Sequence, residues 1–184
     1  MQVIEHYLKT RYKTSTSQSD QDILKGFMSF WLQAQTNRKA NDKNFLTKKA
    51  AQLFSLVSLI DFPSRWPTFF DDLIATYQWS VGNADFYIKV LMSIYNEIAD
   101  QEMPTMGINR TYFRDALLEH ASSKLVESWY NLLNQYSSNY MNSEILNQTL
   151  EIIGSYSCWI DINQTFSQRF VEYFSFSLNQ TSLR

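Results

Sequence analysis

The sequence predicts an all-α fold built from successive antiparallel helix pairs. Three observations carry that expectation. Only 4 Gly and 3 Pro are spread over 184 residues, too few turn formers for a many-stranded sandwich or barrel. The apolar set Leu46, Ala50, Leu53, Val57 and Ile60 recurs at spacings of 4, 3, 4 and 3, the period of one helical face. An equivalent anchor, Tyr87, lies 41 residues after Leu46, so the pattern returns as a unit.

The elements follow in chain order. Val3 to Tyr12 reads as the end of a helix, and Thr14 to Gln18 as a polar linker too short of apolar anchors to pack. A second helix starts near Ser19, which with Asp22 three residues on resembles a capping box; Ile23, Phe27, Phe30 (or Trp31) and Ala34 share one face. The helix carrying Leu46 to Ile60 is stopped by Pro63, because the residue before proline is pushed out of the α region. Pro67 suits the first turn of a partner helix running from Trp66 to about Tyr77, where a missing N–H costs nothing.

The next helix starts near Asn83 and carries Tyr87, Leu91, Ile94 and Ile98, with a break at Pro104 and Gly107. No Gly or Pro interrupts Ile108 to Ile153, so Phe113, Leu117, Ala121, Leu125, Trp129, Leu132 and Tyr136 read as one long helix. Past a turn at Ser137 to Asn142, one helix carries Ile145, Thr149, Ile152, Tyr156 and Trp159, and a last one Phe166, Phe170 and Phe174. The 41-residue period falls inside the range of HEAT and armadillo repeats, roughly 40 to 47 residues. From Tyr87 to Ile145 is 58 residues, a departure attributed to the long second helix of the middle pair. A plain helical bundle remains open on periodicity alone, since short loops between amphipathic helices serve both architectures.

Composition narrows the function classes. The formal charge of -2 gives no chain-wide support for phosphate-backbone binding, so any nucleic-acid site must be local. One cysteine, Cys158, cannot form an internal disulfide, and its place among Tyr156, Trp159 and Ile160 reads as packing. His6 and His120 stand far apart, outside any HExxH or His/Cys cluster, so no metal, cofactor or catalytic constellation is expected. The four glycines are isolated, which leaves no phosphate-cradling loop. No apolar run reaches the roughly 18 residues of a membrane span, and no membrane insertion is expected. The many aromatics fall mostly on the apolar faces and read as core.

Two small basic groups remain, Arg38, Lys39 and Lys43 in a polar turn, and Lys48 with Lys49 on the polar side of the following helix. Acidic residues, Asp71, Asp72, Asp85, Glu97, Asp100 and Glu102, cluster in the next stretch. That segregation of sign suggests two different partners, although each group also fits an ordinary solvated face.

The segment Phe62-Pro63-Ser64-Arg65-Trp66-Pro67-Thr68-Phe69-Phe70-Asp71-Asp72-Leu73 resembles one near the N-terminus of importin-β-like receptors and exportins. A finer resemblance is to the exportin-T family. It runs through Trp31-Leu32-Gln33-Ala34-Gln35, Lys49-Ala50-Ala51-Gln52, Asp85 to Met92, Leu125-Val126-Glu127-Ser128-Trp129-Tyr130, and Leu150 to Tyr156, with Trp159-Ile160-Asp161 after it. These segments keep their order and approximate spacing, from Gln2 to the Arg169-Phe170 region.

The resemblance implies a HEAT-like α-solenoid and a chain, 1–184, that is part of an exportin-type HEAT-repeat domain. Residues 1–36 would be incomplete first repeats, and 41–79, 83–137 and 142–178 successive helix pairs. It implies no enzyme but a receptor that shuttles between nucleus and cytoplasm with Ran-GTP, tRNA and nuclear pore proteins as partners. Arg38, Lys39, Lys43, Lys48 and Lys49 would meet tRNA phosphates, and Asp71 and Asp72 would face Ran. The rival readings are a related receptor for a protein cargo and a generic α-solenoid scaffold without Ran dependence.

Overall fold

A computed structural model describes residues 2–12, 17–35, 44–99, 109–137, 143–161 and 170–171. Among these residues the helices are α1 (Gln2–Thr10), α2 (Gln18–Gln35), α3 (Asn44–Asp61), α4 (Phe69–Tyr77), α5 (Val81–Ala99), α6 (Arg110–His120), α7 (Ser122–Tyr136) and α8 (Ser143–Tyr156). The chain divides into two compact units, residues 1–119 and 120–184.

In the first unit α3 is the central element. Its Ala50, Leu53, Phe54, Leu56 and Val57 are buried, and it packs most extensively on α5, whose Phe86, Tyr87, Val90, Leu91 and Ile94 are fully enclosed. Phe54 meets Phe86 edge-on at 4.9 Å, which sets the two helices parallel in the register 54 to 86. The short α4 runs back between them and packs on α5, burying Phe69, Phe70, Leu73 and Tyr77. Phe62, Phe70 and Phe113 form a further cluster, with ring centroids 4.9 Å apart for Phe62 and Phe70 and 5.9 Å for Phe62 and Phe113. These are the anchors of the 4-3-4-3 pattern, except that Leu46, in the first turn of α3, remains 38% exposed.

Helix starts are fixed by short polar side chains. At α2 the capping box is Ser17 with Asp20, not Ser19 with Asp22. Ser17 Oγ accepts from the Asp20 N–H at 3.2 Å, and Asp20 Oδ2 accepts from the Ser17 N–H at 3.2 Å. At α5, Ser80 Oγ accepts from the Asn83 N–H at 3.1 Å, so this helix begins at Val81. Asn83 is wholly buried, and its Nδ2 donates to the Leu32 carbonyl at 3.0 Å, tying the end of α2 to the start of α5. α4 begins at Phe69 rather than Trp66, because Trp66-Pro67-Thr68 forms a turn in which the Phe69 N–H donates to the Trp66 carbonyl at 3.2 Å.

The stripe Ile23, Phe27, Phe30 and Ala34 does not face the core. α2 carries a second apolar stripe beside it, Leu24, Met28, Trp31 and Leu32, and the interior takes that one. Two bonds fix the rotation: Leu32 to Asn83, and Lys25 Nζ to the Arg65 carbonyl at 2.8 Å. Ile23 is left 68% exposed and Phe30 67%.

The expected long helix from Phe113 to Tyr136 is broken. α6 ends at His120, Ala121 sits at φ -129° and ψ -20°, and α7 starts at Ser122. One residue outside the α region needs neither Gly nor Pro. Apolar spacing continues through the break, so periodicity does not reveal it.

In the second unit α7 and α8 pack together, burying Leu125, Trp129, Leu132 and Leu133 against Ile145, Ile152, Ile153 and Tyr156. The Trp129 and Tyr156 rings lie 5.5 Å apart, and Tyr130 meets the buried Phe170 at 5.5 Å. The expected helix around Phe166 and Phe174 lies outside the described residues. Cys158, expected in packing, is exposed. α8 ends at Tyr156, and the following turn rotates this side chain outward, where its Sγ donates to the Ser155 carbonyl at 2.9 Å.

Candidate interaction surfaces

Of the basic residues singled out, Lys48 is exposed on the first turns of α3. Lys49, one residue on, is half-buried and paired with Glu5 of α1, which also meets Lys9 at 2.9 Å. Lys49, then Lys9, holds the Glu5 carboxyl below the usual carboxylate range. Lys49 therefore fastens α1 to α3, and its charge is partly spent inside the protein. Arg38, Lys39 and Lys43 lie outside the described residues.

Asp71 and Asp72 are exposed in the first turn of α4, where a negative charge favours the helix dipole. Asp72 is engaged within the chain: its Oδ2 accepts from Trp66 Nε1 at 2.8 Å and from Thr68 Oγ1 at 2.9 Å. It pins the Trp66-Pro67-Thr68 turn. Asp85 is paired with Lys89 on the same helix.

A polar cluster that sequence reasoning passed over joins α1 to the α3–α4 turn. Asp61 and Tyr12 are buried, and Tyr12 Oη donates to Asp61 Oδ2 at 2.7 Å. Arg65 Nη2 lies 2.7 Å from Asp61 Oδ1 without the alignment of a hydrogen bond, and its guanidinium sits 5.3 Å from the Tyr12 ring centroid. Burial pushes the Asp61 carboxyl above its ordinary range, against the opposing pull of the Tyr12 hydroxyl and the Arg65 and Lys25 charges. Burial, then the neighbouring carboxylate, raises the Tyr12 phenol, so it stays a donor at any neutral pH. Lys25, 5.3 Å over the Trp66 ring, completes the cluster. The signal was present: Asp61 stands four residues after Val57, where the apolar stripe would continue, and Arg65 follows four residues later.

Among the described residues no group of three or more His, Cys, Asp or Glu side chains could hold a metal ion, and no helix is long and apolar enough to cross a membrane.

Paired helices locked by buried polar ties, with charged side chains along their exposed edges, define a helical-repeat protein of the HEAT-like α-solenoid class. A family profile described as Exportin 1-like protein matches residues 43–184. The chain is 34% identical over 174 residues to exportin-T of Mus musculus, covering 92% of this chain and 18% of that protein. It is 34% identical over 173 residues to exportin-T of Homo sapiens, with the same coverage of 92% and 18%. Against exportin-T of Danio rerio the identity is 32% over 186 residues, covering 100% of this chain and 19% of the relative. The chain belongs to the Exportin 1-like family and, within it, to exportin-T. It spans less than a fifth of the length of these relatives.

Proposed function

We propose that this chain is part of a nuclear export receptor that binds tRNA together with Ran-GTP and carries it from nucleus to cytoplasm, meeting nuclear pore proteins on the way. The observation that supports this reading most is the collinear similarity to exportin-T over 92% of the chain. The receptor works by binding and not by a reaction: if Ran-GTP and tRNA favour the same conformation, each raises the other's affinity by the same factor.

Lys48 is the phosphate contact best suited by its exposure, with Arg38, Lys39 and Lys43 as its neighbours in sequence and Lys49 contributing what its pairing with Glu5 leaves. Asp71 is the acidic contact for Ran, and Asp72 supports it by holding the turn.

In a receptor that contains this stretch, Lys48→Glu weakens tRNA binding and lowers the slope of log affinity against log salt by about one. An unchanged slope removes Lys48 from the phosphate contacts. Asp71→Ala weakens capture of Ran-GTP without a change in thermal stability; undiminished capture removes Asp71. Capture of Ran-GTP that tRNA does not strengthen points instead to a receptor for a protein cargo, and no capture at all to a scaffold.

A further inference from the structure

The outward stripe of α2 matches itself. Ile23, Phe27, Phe30 and Ala34 are spaced 4, 3 and 4, a sequence of intervals that reads the same in both directions. A second copy of the helix laid antiparallel across it sets Phe27 against Phe30 of the other copy, and Ile23 against Ala34, twice over. Large meets small at the ends and ring meets ring at the centre. Gly26 lies beside the crossing point with open space where a Cβ would stand, so the helices can approach closely there. We infer that α2 is a self-association surface through which two copies of this chain pair about a twofold axis.

The area suits that occupant. Val3, Ile4 and Tyr7 of α1 are also exposed, and Ile4 and Phe27 both line one apolar cleft floored by Ala50, Leu53, Phe54 and Val57. With the α2 stripe, these side chains offer roughly 600 Å² per copy, the upper end of what a monomer leaves open and close to the ~800 Å² per partner of a stable interface. Charge agrees as well. The exposed Asp20 and Asp22 mark one end of α2, and the chain runs on from the other end into Arg38 and Lys39. An antiparallel pair brings the acidic end of each helix toward the end from which its partner continues into those basic residues.

The test is the mass of the 184-residue chain in solution. Sedimentation velocity across a hundredfold concentration range gives a monomer–dimer equilibrium. Phe30→Asp, at a surface position that leaves folding intact by circular dichroism, raises the dissociation constant at least roughly 30-fold, as loss of a central aromatic anchor does. In a Cys158→Ser background, chains carrying Phe27→Cys mixed with chains carrying Phe30→Cys are joined by a short bismaleimide between copies, and peptide mapping finds residue 27 linked to residue 30. A monomer at the highest concentration overturns the inference and leaves the stripe to another segment of a longer protein. A dimer indifferent to Phe30→Asp, or larger species without the 27–30 link, overturns it equally.

Discussion

Replacing Tyr12 by Phe isolates one hydroxyl. The ring remains buried and remains under the Arg65 guanidinium, while the 2.7 Å bond to Asp61 is lost. The cost depends on the charge of Asp61. Against an ionised carboxylate a hydrogen bond contributes about 1.5–3 kcal/mol, and against a neutral one about 1 kcal/mol. Asp61 has a folded pKa above its unfolded value, so its contribution to stability is fully present below about pH 4 and declines as pH rises through the folded pKa. The Tyr12 hydroxyl opposes that upward shift. Without it the folded pKa rises further, the decline deepens, and the penalty of Tyr12→Phe grows with pH. The expected destabilisation is near 1 kcal/mol at about pH 3.5 and ~2–3 kcal/mol at about pH 7.5.

Since α1 is joined to the α3–α4 turn here, the change is read on the amide hydrogen exchange of α1 and α3 peptides at the two pH values. Tyr12→Phe with Asp61→Asn removes the buried charge along with its donor, and the pH dependence of the loss disappears. Equal losses at both pH values, or a loss below about 0.5 kcal/mol at each, would refute the reasoning, because Asp61 would then be drawing its stabilisation from elsewhere.

Two further outcomes follow from the packing. Glu5→Gln speeds exchange in α1 by no more than the ~1 kcal/mol of a partly exposed ion pair; the difference from the parent shrinks in high salt and as pH falls through the lowered Glu5 pKa. Trp129→Ala removes a fully buried ring from between α7 and α8, costs about 3–5 kcal/mol, and abolishes exchange protection in α7 and α8.

Much of the fold is legible from the sequence because apolar periodicity reports burial. Val57, Tyr87, Leu91, Leu117 and Trp129 are enclosed where their spacing places them. The pattern fails where two solutions share one period. α2 has adjacent stripes, and tertiary bonds from Asn83 and Lys25, more than fifty and about forty residues distant from their acceptors' partners in sequence terms, choose between them. The break at Ala121 is silent for a related reason: one altered backbone angle leaves the order of apolar residues unchanged. Capping at Ser17 and not Ser19 is a matter of which of two similar serines reaches the free N–H groups.

Charge is less legible than pattern. Lys48 and Lys49 look alike in sequence, yet one is exposed and the other is bound to Glu5, because a rotation of about 100° between successive helical residues separates solvent from the underside of α1. Asp71 and Asp72 divide in the same way, with Asp72 drawn into the Trp66 turn.

Asn83 has both ends of its amide engaged, the oxygen accepting from Ser80 Oγ at 2.7 Å and the nitrogen donating to Leu32 at 3.0 Å. Its chemical ageing would therefore be severe in effect despite being isosteric. Deamidation exchanges one nitrogen for an oxygen and sets two acceptors against each other in a site closed to water. The same helical backbone that buries the side chain also holds the following amide away from the cyclic intermediate such a reaction requires. The tie between α2 and α5 thus shields the group on which it depends, and its durability is a property of the fold and not of the residue.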